Sequence, residues 1–163
     1  MSVRPDLVDC WIFRFVPGGT EILLLHRAPG RVLAGLWQGV SGSVDGDEPI
    51  TQAALREVAE ETGIGGAAID AFYDLDLVNA FHWPSADAIV MSAIFALRVA
   101  PGVDPVISFE HDEWRWTPIH VAYGEVIWPG YREAIARIRD DLADPARAQW
   151  FELTSDGRGR RLE

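Results

Sequence analysis

The segment from Glu48 to Gly63 constrains the fold most, because it combines a helical pattern with three carboxylates on one face. With 3.6 residues per turn, Glu60 lies about 60° to one side of Glu57 and Glu61 about 40° to the other. Like charges at such spacings weaken a helix by roughly 0.3 kcal/mol per pair. Gly63 suits the left-handed position that ends a helix. We therefore predict a helix that starts after residue 48, runs to about residue 61 and carries a narrow acidic face.

The acidic face serves either as solvated surface or as a site for a divalent cation. Mg²⁺ and Mn²⁺ prefer carboxylate oxygens and usually keep open positions for substrate phosphates. Arg56 is the only basic residue near the three carboxylates, so the repulsion between them has little compensation. Gly42 is predicted at a strand end before the helix, where the missing side chain lets the backbone approach a ligand. These features favour the cation site, with the solvated face as the alternative.

Runs of apolar, β-branched and aromatic residues predict strands on both sides of this helix. The predicted strands cover residues 8–16, 21–27, 36–43, 71–83, 88–99 and 113–117. A second helix is predicted over residues 130–142, where Tyr131, Ile135, Ile138 and Leu142 share one face. This order of elements predicts an α/β (α+β) fold, with a mixed sheet between layers of helices. We expect one domain over residues 1–153 and a flexible tail over residues 154–163.

The charge composition excludes several classes of protein. The chain has 163 residues, of which 25 are acidic and 14 basic, and all the basic ones are Arg. The absence of Lys excludes a P-loop, a protein kinase and a pyridoxal enzyme, since each needs a lysine. The net charge of -11 argues against a nucleic-acid polymer or a membrane as partner, because both attract clustered cations. An anionic small molecule needs a local positive element, such as a metal ion.

The single cysteine and the N-terminal residues indicate the compartment. Cys10 has no second cysteine to pair with, which excludes an intramolecular disulfide and a thiolate zinc cluster. Residues 1–9 mix acidic and basic side chains and do not resemble a signal peptide. The apolar stretches are far shorter than the roughly 20 residues of a membrane span. We expect a cytoplasmic protein.

Residues 42–64 contain a known motif in full. Five residues separate Gly42 from Glu48, and seven more precede the run Arg56-Glu57-Val58-Ala59-Glu60-Glu61-Thr62-Gly63-Ile64. This segment resembles the Nudix box, with no departure at any defining position. From average residue usage, a chance match at a given start has a probability on the order of 10⁻⁹ or below. The resemblance implies a Nudix-type α/β/α sandwich and hydrolysis of a nucleoside diphosphate linked to another moiety.

The resemblance also implies roles for residues of the box. Glu57, Glu60 and Glu61 are expected to be catalytic as ligands of Mg²⁺ or Mn²⁺, with a backbone carbonyl near Gly42 as an extra ligand. The metal then neutralises phosphate oxygens and activates a water that attacks phosphorus. Three further residues are expected to have structural roles in the box: Glu48, Arg56 and Gly63.

A further carboxylate is expected from a loop far along the chain, as a metal ligand or general base. Residues 108–114 contain two candidates, Glu110 and Glu113. We favour Glu110, because Glu-His before a short strand with Trp resembles several bacterial Nudix branches. A loop of solvated acids is the alternative. His111 either orients a neighbouring residue or lies exposed, and nothing in the local sequence decides between them.

The substrate is less constrained than the reaction. Residues 36–44 and 128–135 resemble bacterial Nudix enzymes that act on dihydroneopterin triphosphate or dATP-like nucleotides. Such a ring needs a flat apolar wall and a few hydrogen bonds at its edge. The candidate substrate-binding residues are Arg27 for phosphate and Trp37, Phe81, His82 and Trp83 for the ring. With seven Trp in one domain, a place in the core is the alternative for each Trp, as a surface position is for Arg27.

Four alternatives to a small triphosphate substrate stay open. Two of them change only the substrate, to a dinucleoside polyphosphate or a nucleotide sugar. A non-catalytic Nudix ligand-binding domain usually lacks box glutamates, all of which are present here. An isomerase of the isopentenyl diphosphate type shares the fold but needs a reactive Cys, and Cys10 lies in an apolar strand. Dimers are common in the family, so a homodimer is one expectation.

Overall fold

The computed structural model describes residues 3–163, which form one sheet covered by helices on both faces. The strands are Leu7–Val16 (β1), Gly19–Arg27 (β2), Trp37–Gln38 (β3), Val40–Ser43 (β4), Ile69–Trp83 (β5), Ala88–Val99 (β6), His111–Pro118 (β7) and Glu152–Leu153 (β8). The helices are Ile50–Thr62 (α1), Ile119–Glu125 (α2), Pro129–Arg137 (α3) and Pro145–Ala148 (α4). A π-helical turn over Ile138–Leu142 continues α3.

The sheet is mixed, as its sequence pattern predicts. The strand order is β3-β2-β1-β6-β5-β8, while β4 pairs with β1 and β7 pairs with β2. β1 and β6 run parallel, from the pair Leu7 and Ser92 to the pair Phe13 and Arg98, and the other pairs are antiparallel. The predicted fold class is therefore confirmed.

Two hydrophobic cores lie on the two faces of this sheet. The first lies against α1 and includes Val8, Cys10, Ile12, Ala53, Ala54 and Val58. The second lies against α2 and α3 and includes Trp11, Phe13, Ala122, Ala134 and Ile135. Because alternate residues of a strand point to opposite faces, β1 supplies both cores at once. The sheet is thus the middle layer of an α/β/α sandwich.

Several elements differ in extent from their predictions. The strand predicted over residues 36–43 is two strands, interrupted at Gly39, where an added Cβ would lie 3.0 Å from the ring of Trp11. β7 begins at His111 rather than at residue 113. The second predicted helix is α-helical only to Arg137 before it becomes π-helical. The sequence did not predict α2, because seven residues are too few to show a clear helical period.

Residues 154–163, for which the sequence predicts a flexible tail, contact α1 and β8 in the described structure. Thr51 Oγ1 in α1 donates a hydrogen bond of 2.7 Å to the carbonyl of Gly157, and Leu153 forms a β-bridge with Arg160. Arg161 Nη1 lies 2.7 Å from a carboxylate oxygen of Glu152. The turn after β8 folds back over α1 because side chains of the helix bond its backbone.

None of the helices in residues 3–163 has the length and the apolar run needed to cross a membrane.

Candidate active site

The carboxylate of Glu57 lies directly against Gly42, where α1 crosses β4. A Cβ added to Gly42 would lie 1.9 Å from Glu57 Cδ and within 2.3 Å of both carboxylate oxygens. Gly42 pairs with Val8, so β4 is held in place by the buried first half of β1. Only glycine leaves room for the carboxylate at this position. Burial raises the pKa of Glu57, an effect that Arg56 partly offsets.

Arg56 ties the loop before α1 to the helix. Its Nε and Nη2 atoms donate to the two carboxylate oxygens of Glu48, at 2.8 Å and 3.0 Å. Nη2 also donates to the carbonyl of Ser43, and Nη1 donates to Glu57 Oε1, at 2.9 Å each. Glu60 Oε2, at 3.2 Å from Nη1, is the most exposed of these partners. The Arg56 guanidinium holds the pKa of Glu48 below its usual value. A single guanidinium thus positions three carboxylates.

The end of α1 is fixed by backbone geometry. Gly63 has φ 69° and ψ 3°, and its N–H donates to the carbonyl of Ala59 at 2.9 Å. The loop toward β7 then pairs with this end, since Val106 N–H donates to Thr62 O and Ser108 N–H donates to Glu61 O. The distal acidic segment is thereby brought to the helix face that carries the glutamates.

Glu61 and His111 form a buried pair under the acidic face. The side chain of Glu61 is 1% exposed, and its Oε1 lies 2.7 Å from His111 Nε2. Burial, with the charges of Glu110 and Glu57, raises the pKa of Glu61 to about 9. Burial, with the charge of Arg27, lowers the pKa of His111 to about 4. At neutral pH His111 is therefore an uncharged hydrogen-bond partner that fixes the orientation of Glu61.

Glu110 completes the group of carboxylates. One ligand atom from each of Glu61, Glu110 and His111 lies within 4.8 Å of the others. The backbone carbonyl of Glu110 accepts a hydrogen bond of 2.9 Å from the N–H of Ala28, which fixes the backbone at this position. Glu113 is exposed on β7, paired with His26 of β2, and does not belong to this group. The geometry favours Glu110 over Glu113 as the distal carboxylate.

The donor set fits a hard divalent cation. Glu61 Oε2 is buried and has no hydrogen-bond partner among the described residues. A buried carboxylate oxygen without a partner is costly, and a coordinated cation removes that cost. Carboxylate oxygens around an open position are the ligands that Mg²⁺ and Mn²⁺ prefer. Arg27 lies close enough to lower the pKa of both Glu61 and His111, which places a cationic side chain beside the carboxylates.

The aromatic candidates do not form one wall. Trp37 contacts the guanidinium of Arg115, which lies 4.1 Å from its ring centroid, and the ring of His26, which lies 4.8 Å away at a tilt of 49°. Phe81 and Trp83 lie 6.2 Å apart near the end of β5, with three strands between them and the strand of Trp37. Asp9, a buried acid, was not singled out in the sequence. The feature of the sequence that could have indicated Asp9 is an acidic residue within an apolar strand.

Comparison with known proteins identifies the family. The model of the NUDIX domain matches residues 5–138 of the chain. The chain belongs to the Nudix family. As a member of that family it is an enzyme that acts on pyrophosphate bonds, a Nudix pyrophosphohydrolase. The family is generally dependent on divalent metals, which agrees with the group formed by Glu61, Glu110 and His111.

Two curated relatives differ in how much of their length this Nudix chain spans. It is 34% identical over 119 residues to an octanoyltransferase of Myxococcus xanthus, a match that covers 72% of this chain and 32% of that protein. It is 33% identical over 114 residues to an RNA pyrophosphohydrolase of Acidiphilium cryptum, which covers 61% of this chain and 68% of that protein. The chain thus spans about a third of the first relative and about two thirds of the second.

Solved structures of Nudix proteins share the fold. A NUDIX hydrolase from Listeria monocytogenes superposes with a TM-score of 0.73 and 23% identity, covering 85% of this chain and 94% of that one. The dihydroneopterin triphosphate pyrophosphohydrolase of E. coli superposes with a TM-score of 0.67 and 22% identity, covering 84% of this chain and 96% of that one. At these identities the similarity shows a common fold alone.

Proposed function

We propose that this Nudix hydrolase cleaves a nucleotide-like triphosphate to a monophosphate and pyrophosphate, in a reaction that depends on Mg²⁺ or Mn²⁺. The observation that carries the proposal is the buried, unpartnered Oε2 of Glu61 within a group that also contains Glu57 and Glu110. A cation bound at this group would offset the cost of burying the ionised carboxylates. Mg²⁺ held by carboxylates usually also binds the phosphates of a substrate, which favours a polyphosphate.

Glu57, Glu60 and Glu61 are the residues that would hold the metal, with the backbone carbonyl near Gly42 as a further ligand. Glu57 and Glu61 are held by Arg56 and His111, at 2.9 Å and 2.7 Å. Glu60 is more exposed and would bind on the solvent side. When bound, the metal neutralises phosphate oxygens and acidifies a water molecule.

The remaining side chains position the reactants. Glu110 accepts a proton from the attacking water, whose oxygen forms a bond to phosphorus while the bridging P–O bond breaks and pyrophosphate leaves. Arg27 binds phosphate oxygens, for which its planar guanidinium offers paired N–H donors. His111 does not contact the substrate, because its side chain is fully buried, and it acts by orienting Glu61. Arg56 has the same kind of role for Glu57.

The substrate class follows from charge and from the resemblance of two segments. The net charge of -11 disfavours a long polyanion and favours a small molecule that carries its own metal ions. Residues 36–44 and 128–135 resemble enzymes of small heterocyclic triphosphates. Dihydroneopterin triphosphate and deoxynucleoside triphosphates are therefore the first candidates.

A second candidate is the 5′ end of an RNA. The observation in its favour is the 33% identity to a protein named RNA pyrophosphohydrolase, of which the chain spans 68%. The chemistry is the same, because a 5′-triphosphate is cleaved to a monophosphate and pyrophosphate. The two candidates differ in whether the protein binds nucleotides beyond the first.

One experiment tests the function and the role of the distal acid together. The purified chain is incubated with Mg²⁺ and a panel of nucleoside triphosphates, dihydroneopterin triphosphate, dinucleoside polyphosphates, nucleotide sugars and a 5′-triphosphorylated RNA, and the phosphate products are identified. We expect pyrophosphate from a small triphosphate, and about a 100-fold loss of kcat in Glu110→Gln. Glu113→Gln, which removes an exposed charge of the same kind, should keep full activity. Full activity of both variants would overturn the role of Glu110, and no cleavage of any substrate would overturn the function.

A further inference from the structure

Asp9 is a buried acid near the start of β1. Its neighbours Val8 and Cys10 belong to the core under α1, so the Asp9 side chain points to the opposite face of the sheet, beneath α3. The residue is 6% exposed. No ion pair links it to any Arg or His among residues 3–163. A buried carboxylate without a cation is expensive, which suggests that something other than stability requires it.

The groups around Asp9 are polar and incompletely paired. Ser41 is its register partner on β4, and Ser92 of β6 lies on the same face. Burial raises the pKa of Asp9 to about 6, and the hydroxyls of Ser41 and Ser92 partly offset this. Ser92 is 1% exposed, and its hydroxyl lies beside the Asp9 carboxyl. Trp11 Nε1, two residues along β1 on this face, is buried and has no hydrogen-bond partner among the described residues. The face thus carries a buried carboxyl with two hydroxyls beside it and an indole N–H that the fold leaves unpaired.

The first turn of α3 crosses this face at Trp11 and Asn79. The ring of Tyr131 packs edge-on against Trp11, with centroids 5.1 Å apart. Gly130 lies against Asn79 of β5, where an added Cβ would be 2.3 Å from the amide nitrogen. Asn79 is in register with Ser92, so α3 crosses the sheet beside Asp9.

Exposed aromatic rings lie at the rim of the same face. Phe81 follows Asn79 by two residues on β5 and is 38% exposed. Trp128 precedes Gly130 by two residues and is 44% exposed. A flat heterocycle entering from this side would meet apolar ring surfaces at the rim and polar groups at the bottom, as small-molecule sites usually provide.

Ser41 connects this face with the acidic site. Its hydroxyl lies beside Asp9, and its backbone partly offsets the rise in the pKa of Glu61. The next residue is Gly42, against which the Glu57 carboxylate lies. A molecule with a ring at Asp9 would therefore have its phosphates within reach of the carboxylates, on the far side of β4.

We propose that Asp9 selects the heterocycle of the substrate, by accepting two adjacent N–H donors from the edge of the 2-aminopyrimidin-4-one ring that guanine and pterin share. This proposal rests on the proposed function and names its substrate class. Guanine and pterin rings present a ring N–H beside an exocyclic amine, which matches the two acceptor oxygens of a carboxylate. Adenine presents a donor beside an acceptor, which matches an amide instead. Deoxyguanosine triphosphate and dihydroneopterin triphosphate are therefore preferred over dATP.

The test measures a change in the preference between substrates, as a ratio of kcat/KM values, rather than a loss of activity. For the full chain with Mg²⁺, kcat/KM is measured for dGTP, dITP, dihydroneopterin triphosphate and dATP. We expect dITP, which lacks only the 2-amino group, and dATP to be at least about tenfold poorer than dGTP. Asp9→Asn should reduce the ratio of dGTP to dATP by at least about tenfold. Asp70→Asn, which removes a charge from an exposed position of β5, should leave the ratio unchanged.

Failure of this proposal can be told apart from failure of the proposed function. Equal cleavage of dGTP, dITP and dATP by the unaltered chain would overturn the role of Asp9 while the function stands. An equal loss on all substrates in a folded Asp9→Asn protein would do the same. No cleavage of any triphosphate would overturn the function itself. If Asp9→Asn does not fold, the comparison of dGTP with dITP on the unaltered chain still tests whether the 2-amino group is recognised, and equal kcat/KM for the two would overturn the proposal.

Discussion

Replacing Gly42 by alanine should separate catalysis from folding, because it adds one methyl group at the Glu57 carboxylate. That methyl carbon would lie 1.9 Å from Glu57 Cδ, whereas an ordinary carbon–carbon contact is about 3.5 Å. The carboxylate must therefore move by about 1.6 Å. Gly42 has no positive φ, so alanine adds no backbone strain. We expect the whole effect to come from displacement of Glu57.

The expected magnitudes differ for rate and stability. A displacement of about 1 Å at a catalytic group costs roughly 100-fold in rate, so kcat/KM should fall at least that far. Overpacking costs about 1–3 kcal/mol, and the Glu57 side chain can turn toward solvent, so the protein should stay folded. The assay is steady-state kinetics with the best triphosphate, together with thermal melting. Gly102→Ala is the matched control, because a methyl group there meets no atom within 4 Å.

A double-mutant cycle identifies the cause. In a Glu57→Ala background the carboxylate is gone, so Gly42→Ala should cost no further stability. The reasoning is refuted if Gly42→Ala keeps kcat/KM within twofold of the parent chain. It is also refuted if the stability loss is the same with and without the Glu57 carboxylate.

Three further predictions concern other parts of the molecule. His111→Ala should lower kcat/KM and weaken Mg²⁺ binding by about 10- to 100-fold, because His111 orients Glu61. The control His120→Ala, at an exposed position, should change neither quantity. An unchanged Mg²⁺ affinity in His111→Ala would contradict the role of His111 in positioning Glu61. Without metal, burial raises the pKa of Glu61 from 4.5 to about 9, so the folded protein binds this proton more tightly than the unfolded chain does. The resulting stabilisation is fully present below about pH 5 and is lost as the pH rises toward about 9. Mg²⁺ should therefore raise the melting temperature more at pH 8.5 than at pH 6, and an equal rise would contradict this. Gly157→Ala should lower the free energy of unfolding by about 2 kcal/mol without changing kcat. The reason is that Gly157 has φ 67° and that the added methyl group would lie 2.7 Å from Thr51 Cβ. An unchanged melting temperature would show that the turn is not packed on α1.

The acidic helix was predictable because its signals are local. Glu57, Glu60 and Glu61 share a face by helical geometry alone. Gly63 is recognisable from the left-handed conformation that a helix end requires, and it has φ 69°. The long strands β5 and β6 were also predictable, since their β-branched and aromatic runs are bounded by turn residues.

The features that could not be predicted depend on contacts between residues that are far apart in the sequence. His111 and Glu61 are 50 positions apart, and only the folded chain shows that both are buried and in contact. Residues 154–163 contact α1 through a hydrogen bond between Thr51 and Gly157, which are 106 positions apart. In the sequence, Asp9 is an acidic residue within an apolar strand. Only the folded chain shows that β4, β6 and α3 surround it. Composition and periodicity contain no information about such contacts.

The most direct measurement is of phosphate products formed from dGTP or dihydroneopterin triphosphate by the chelator-treated protein, with and without added Mg²⁺. Pyrophosphate and the monophosphate should appear only when Mg²⁺ is present, and Glu61→Gln should form almost none at the same metal concentration. Equal product formation without divalent metal, or undiminished turnover by Glu61→Gln, would contradict the proposed reaction and the place of the Nudix carboxylates in it.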